Sequence, residues 1–164
     1  MHRSLRITFC FILNSGWLYA ADPAISLDVH TPQQSRVYSI HDLEASHRST
    51  TLKVHNPAYG KEVVYRGFWL EDVLQAVHFP LNNPKTDIAF VSADGYSATL
   101  TTSEVGRHLW LLAFGESAGS WTLLEHGKEK VSPGPWYLVS SDPGTFTTLP
   151  WPYQVIAIQT LQSW

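Results

Sequence analysis

The dipeptide Asp94-Gly95 is the strongest local constraint in this chain, because it separates two runs, Ile88 to Ala93 and Tyr96 to Leu100, whose residues favour extended backbone. Such a pattern predicts an antiparallel hairpin with a two-residue turn, and a hairpin is marginal alone, so a larger sheet must hold it. Similar short runs recur. Val37 to Ile40 and Thr50 to Val54 flank a helical turn at His41 to Ala45, and Glu62 to Tyr65 follows the turn Asn56-Pro57-Ala58-Tyr59-Gly60. Trp110 to Phe114, Trp136 to Ser140 and Gln154 to Leu161 bring the set to about seven strands. Leu70, Val73, Leu74 and Val77 fall on one face of a helix that Pro80 ends, and Thr102 or Ser103 caps a short helix running through His108. The expected class is α+β, a mostly antiparallel sheet with two or three short helices.

The N-terminus has a different character. His2, Arg3 and Arg6 precede the apolar run Ile7 to Leu13, and Leu18-Tyr19-Ala20-Ala21 supplies small residues where a signal peptidase cuts. The run is well short of the ~20 residues that span a bilayer. Residues 1–21 therefore read as a signal peptide for export to the periplasm. Residues 22–164 read as one domain, long enough for a core and too short for two. Cys10 is the only cysteine and lies inside the signal, which leaves the mature chain without a disulfide, a thiolate nucleophile or a cysteine metal ligand. Losing Arg3 and Arg6 takes two from the 11 basic side chains set against 14 acidic ones. That balance, with no basic stripe, argues against a nucleic-acid partner.

Seven Trp, seven Tyr and seven Phe in a chain only 15% charged exceed what a small core ordinarily uses, so a few are expected to line a pocket for a flat ligand. Gly115-Glu116-Ser117-Ala118-Gly119 matches the nucleophile elbow of serine hydrolases. The match fails in context, because the one later histidine, His126, follows too closely for the acid and strands that such a triad needs. A polar loop is the expected reading. His30, His41, His47, His55, His78, His108 and His126 never share the spacing that puts two imidazoles on one metal, and no calcium-loop run of carboxylates occurs, so no metal is expected.

Several segments together resemble the oxidoreductase molybdopterin-binding domain of the sulfite-oxidase type. Gly67-Phe68-Trp69-Leu70-Glu71-Asp72-Val73-Leu74 is similar to the family's run leading into a helix, and Phe90-Val91-Ser92-Ala93-Asp94-Gly95-Tyr96-Ser97 resembles its hairpin. Leu111 to Phe114, Gly134 to Val139 and Trp151 to Val155 are similar to later segments in the same order, so the likeness spans roughly residues 37 to 161. It implies the sulfite-oxidase-type fold and a pterin ligand, molybdopterin-like or a free tetrahydropterin. Enzymes of this family hold molybdenum through a cysteine thiolate on the strand before the helix; here that stretch is Leu52-Lys53-Val54-His55, without a cysteine. The resemblance then narrows to a group of small, non-catalytic periplasmic pterin-binding regulators. These signal to the periplasmic region of an inner-membrane cyclic-di-GMP cyclase or phosphodiesterase. The other readings are a molybdopterin-dependent oxidoreductase with a non-cysteine ligand, and a structural or assembly subunit with an empty pocket.

A pterin is a flat bicycle with N–H donors along one edge beside a carbonyl, so its binder needs an aromatic face, an acceptor for the donor edge and a donor for the oxygen. Trp151 and Tyr153, fixed by Pro150 and Pro152, are the expected face, with Trp136 in reserve. Asp94 is the expected acceptor, with Tyr96 beside it, and His55, Asn56 or Arg66 is the expected donor.

Overall fold

In the computed structural model, which describes residues 25–82 and 86–161, Leu27 and Val29 are buried while Ser26 and His30 face solvent. That alternation makes Ser26–His30 a half-buried strand, β1, absent from the sequence-based expectation. The chain continues through β2 (Ser35–Ser39), α1 (Ile40–Glu44), β3 (Thr50–Asn56), β4 (Lys61–Trp69), α2 (Leu70–Ala76), β5 (Asp87–Ser92) and β6 (Ser97–Thr101). Next come α3 (Thr102–Arg107), β7 (Trp110–Glu116), β8 (Leu124–His126), β9 (Glu129–Val131), β10 (Tyr137–Ser140), a 3-10 helix (Pro143–Thr147) and β11 (Val155–Leu161). One sheet has the order β2-β1-β11-β5-β6, a second the order β10-β7-β4-β3, and β8 and β9 form a separate ribbon. All pairings among the described residues are antiparallel except β1 with β11. The fold is thus mixed, mostly antiparallel sheet with a few short helices.

The element bounds correct several expectations. Gly67-Phe68-Trp69 belongs to β4, so the strand reaches the first residue of α2 with no intervening loop. The helix stops before Pro80: His78 adopts φ +53°, Phe79 N–H donates to Leu74 O (2.8 Å) and His78 N–H to Gln75 O (3.0 Å). Those two bonds form a Schellman motif, with buried Leu74 and Phe79 beside it. Thr101, one residue earlier than expected, caps α3 through a reciprocal box with Glu104. The β5–β6 connection is a three-residue loop, not a two-residue turn. Asp94 lacks the positive φ of a type I′ turn, Gly95 alone adopts φ +86°, and Ser92 pairs with Tyr96 while accepting from Gly95 N–H (2.9 Å).

β7 is buried at every position, as the inside strand of its sheet requires, and one apolar cluster joins both sheets. Trp136, just ahead of β10, bridges to Val155 of β11 and so ties the two sheets together. Its ring is fully buried, edge-on to Phe114 at 6.0 Å, and Nε1–H donates to Ser26 O (2.9 Å). The signal peptide expected over residues 1–21 lies outside the described residues. No described helix is long and apolar enough to cross a membrane.

Candidate functional site

Proline at 150 and 152 cannot donate to a ladder, so the segment between the 3-10 helix and β11 is held by other groups. Leu138 N–H donates to Pro152 O (2.9 Å), Gln154 N–H to Pro133 O (2.7 Å), Ala93 N–H to Gln154 O (2.9 Å) and Ser92 Oγ–H to Tyr153 O (2.6 Å). These bonds stitch residues 152–154 to β10 on one side and to the β5–β6 loop on the other. Gln154 itself takes φ +52°, a conformation that costs a non-glycine residue about 1 kcal/mol or more. Its amide Nε2 donates to Ser132 O (3.0 Å), which offsets part of that cost.

A cleft of about 370 Å³ opens against this segment, within the ~300–1,000 Å³ typical of small-molecule sites. Trp151 and Phe146 wall it as an edge-to-face pair 5.5 Å apart at 85°, and Trp151 Nε1–H donates to Thr145 Oγ1 (2.9 Å). Pro150, Pro152 and Tyr153 continue the wall. Tyr153 OH pairs with His126 Nδ1 (2.8 Å), which brings the β8–β9 ribbon to the rim. Asp94 lines the same cleft: its Oδ1 accepts from Tyr96 N–H (2.9 Å), and Oδ2 has no partner among the described residues. The carboxylate is therefore oriented by its own loop while an oxygen stays available to a ligand. Among the described residues, Asp94 and His126 are the ionisable groups of the lining besides the tyrosines Tyr96 and Tyr153, and neither Lys nor Arg contributes.

No family model and no curated protein matches this chain. The cleft must therefore be judged on its own chemistry.

Asp94, Tyr96, Trp151 and Tyr153 meet in the cleft, and the other four expected residues do not. Trp136 presents no face because it is 0% exposed. Asn56 is equally buried, and its amide is committed: Nδ2 donates to Tyr65 OH (2.7 Å) and Tyr137 OH (3.1 Å), and Oδ1 accepts from Ala58 N–H (2.8 Å). His55 is exposed on edge strand β3, and Arg66 is exposed on β4 with its guanidinium 5.2 Å from the Phe114 ring centre. Phe146 and His126 were not expected in the site. For Phe146 the local signal is the Asp142-Pro143-Gly144 start of its 3-10 helix, with proline in the first turn, which announces the helix but not the cleft.

The stretch Leu52-Lys53-Val54-His55 does not fit a molybdenum centre. It offers no thiolate, Lys53 Nζ is paired with Glu62 (2.7 Å), and among the described residues no three His, Cys, Asp or Glu side chains come together. Gly115 to Gly119 is not a nucleophile elbow either. Ser117 N–H donates to Val64 O (2.8 Å), Gly119 N–H donates to Glu116 O (3.0 Å), and the chain leaves β7 without entering a helix.

Buried Glu116, Asn56, Tyr65 and Tyr137 and half-buried Tyr59 form a polar cluster instead. The Glu116 carboxylate accepts from Thr122 N–H (2.7 Å) and Oγ1–H (2.9 Å), and Tyr59 OH donates to Thr122 O (2.6 Å). Burial raises Tyr59, Tyr65 and Tyr137 above the ordinary tyrosine value of 10, Tyr137 to about 12, although the Asn56 amide pulls the last two the other way. Folding favours the protonated hydroxyl, so this stability is complete below pH 10 and is lost as pH rises toward 12, while the unfolded chain ionises first. Urea unfolding should show a decline over that window. Tyr137 alone contributes on the order of 2–3 kcal/mol, and Tyr137→Phe should flatten the slope. Equal stability at both ends of the window would contradict the burial argument.

Proposed function

We propose that this chain is a non-catalytic pterin-binding protein and that the cleft between the β5–β6 loop and residues 146–153 is its site. The observation that carries the proposal is one cleft lined by both an aromatic wall, Trp151, Phe146 and Tyr153, and a carboxylate held by its own loop, Asp94. A flat bicycle with an N–H edge can stack on the first and donate to the second. Tyr153 OH, Tyr96 OH and His126 are the polar groups in reach of a ligand oxygen, in place of His55, Asn56 and Arg66. A lining that has no Lys or Arg among the described residues supports a free, unphosphorylated pterin over molybdopterin, whose phosphate would meet the Asp94 carboxylate with no Lys or Arg beside it.

The proposal includes the sulfite-oxidase-type fold, export to the periplasm and a signalling role toward an inner-membrane cyclic-di-GMP enzyme. The support for these is the segment-by-segment resemblance in sequence.

Asp94→Asn tests the site. Asparagine can keep the loop bond to Tyr96 N–H while removing the charge, so the fold should persist by circular dichroism. Calorimetric titration with free tetrahydropterin should show affinity reduced about tenfold, the loss of one charge-assisted pair. Wild-type affinity in a folded Asp94→Asn protein would move the site elsewhere.

A further inference from the structure

Among the described residues, β8 and β9 pair only with each other and join neither sheet. Gly127, at φ +64°, takes the first central place of their two-residue turn, as a type II′ hairpin requires, so the ribbon is a tight unit. A lone two-stranded ribbon is marginal in water, and what fastens this one decides how it behaves. Both of its ends are fixed. The Glu116 carboxylate accepts from Thr122 N–H and Oγ1–H, and Tyr59 OH donates to Thr122 O. At the other end Ser132 O accepts from Gln154 Nε2 and Pro133 O from Gln154 N–H. The Trp121 indole packs on the core and fills the space that a Cβ on Gly134 would need, which ties the two ends to each other.

Between those ends the ribbon is held lightly. Residues 125–130 are all exposed, and Leu124, though buried, is no member of the apolar cluster that joins the two sheets. Among the described residues, the one side-chain hydrogen bond from residues 123–131 to another element is Tyr153 OH with His126 Nδ1 (2.8 Å), and both of these residues line the cleft. We infer that the β8–β9 ribbon is a flap at the cleft, hinged at residues 122 and 132 and latched by the Tyr153–His126 bond, and that its opening sets the rate at which ligand enters and leaves. Opening breaks the latch and uncovers Leu124 but leaves both sheets and their common core intact, so it costs far less than unfolding. Reburial of Leu124 returns the flap. Lids that gate a site are drawn from segments of this kind, weakly held between fixed ends.

The gating role rests on the cleft being the ligand site, whereas the flap itself can be tested without ligand. Amide hydrogen exchange of the ligand-free protein, read residue by residue, should show the ladder amides of β8 and β9 exchanging faster than those of β7. His126→Leu removes the latch from an exposed position and Tyr153→Phe removes it from the other side. Each should speed ribbon exchange at least about tenfold and leave β7 exchange in place, and either variant suffices should the other fail to fold. Unchanged ribbon exchange in the folded variants, or β7 accelerating to the same degree, would overturn the flap. Stopped-flow mixing with free tetrahydropterin then tests the gate: His126→Leu should raise association and dissociation rates together, at least about fivefold each. A rise in dissociation alone would mark His126 as a lost ligand contact and overturn the gating role. Wild-type protein that binds no tetrahydropterin would count against the proposed function, and the exchange result would still decide the flap.

Discussion

Gly67→Ala is expected to cost ~3 kcal/mol or more and to lower the melting temperature by about 10 °C, or to prevent folding outright. A Cβ at this position would lie 2.3 Å from Leu112 O, 2.7 Å from Ala113 Cα and 2.8 Å from Leu112 C. All three are backbone atoms of β7, so no side chain can rotate away. Relief requires β4 and β7 to part at the centre of their sheet, beside the register shift between Arg66 and Gly67. Glycine here serves close approach of two backbones, the use that a bulge makes of it. Gly115→Ala is the matched control. It is buried in the partner strand, but nothing lies within 4 Å of its added Cβ, so a change within about 1 kcal/mol is expected. Thermal denaturation of the two variants side by side decides the matter, and equal melting temperatures would refute the steric account.

The same pair of strands shows where sequence is legible and where it is not. The apolar run of β7 announces an inside strand without reference to anything else. β1 alternates polar and apolar residues, but over only five positions beside the basic-apolar N-terminus, and its parallel partner β11 lies at the other end of the chain, so nothing local singles it out. The Asp94-Gly95 hairpin was legible because composition alone defines it; its loop length was not, because Gly95 serves a three-residue loop equally well and Ala93 simply joins the turn. In the cleft, Asp94, Trp151 and Tyr153 could be picked out because loop chemistry and flanking prolines are local features. Trp136 could not be told from them. It too sits beside proline, and only the bridge to Val155 and the bond to Ser26 O, both long-range, make it core. Asn56 was misplaced for the same reason, since the tyrosines that consume its amide come from β4 and β10.

Trp151→Ala is expected to lose ~3–5 kcal/mol of folding stability, besides whatever it does to ligand binding. The side chain is only 6% exposed and belongs to the common core, so its truncation leaves a cavity as well as a missing wall. It also strips Thr145 Oγ1 of the indole N–H and Phe146 of its edge-to-face partner, two of the contacts that hold the 3-10 helix against the cleft. Weak pterin binding by this variant is therefore ambiguous: it follows equally from a lost stacking face and from a 3-10 helix that no longer closes the site. The ambiguity is removed by comparing it with Asp94→Asn, whose side chain is exposed and whose loop bond survives the change. The pair should separate cleanly. Trp151→Ala should lower both melting temperature and affinity, whereas Asp94→Asn should lower affinity alone. A Trp151→Ala protein as stable as wild type in urea would show that the indole is not part of the core, and the rigid wall on which the cleft's stacking role rests would go with it.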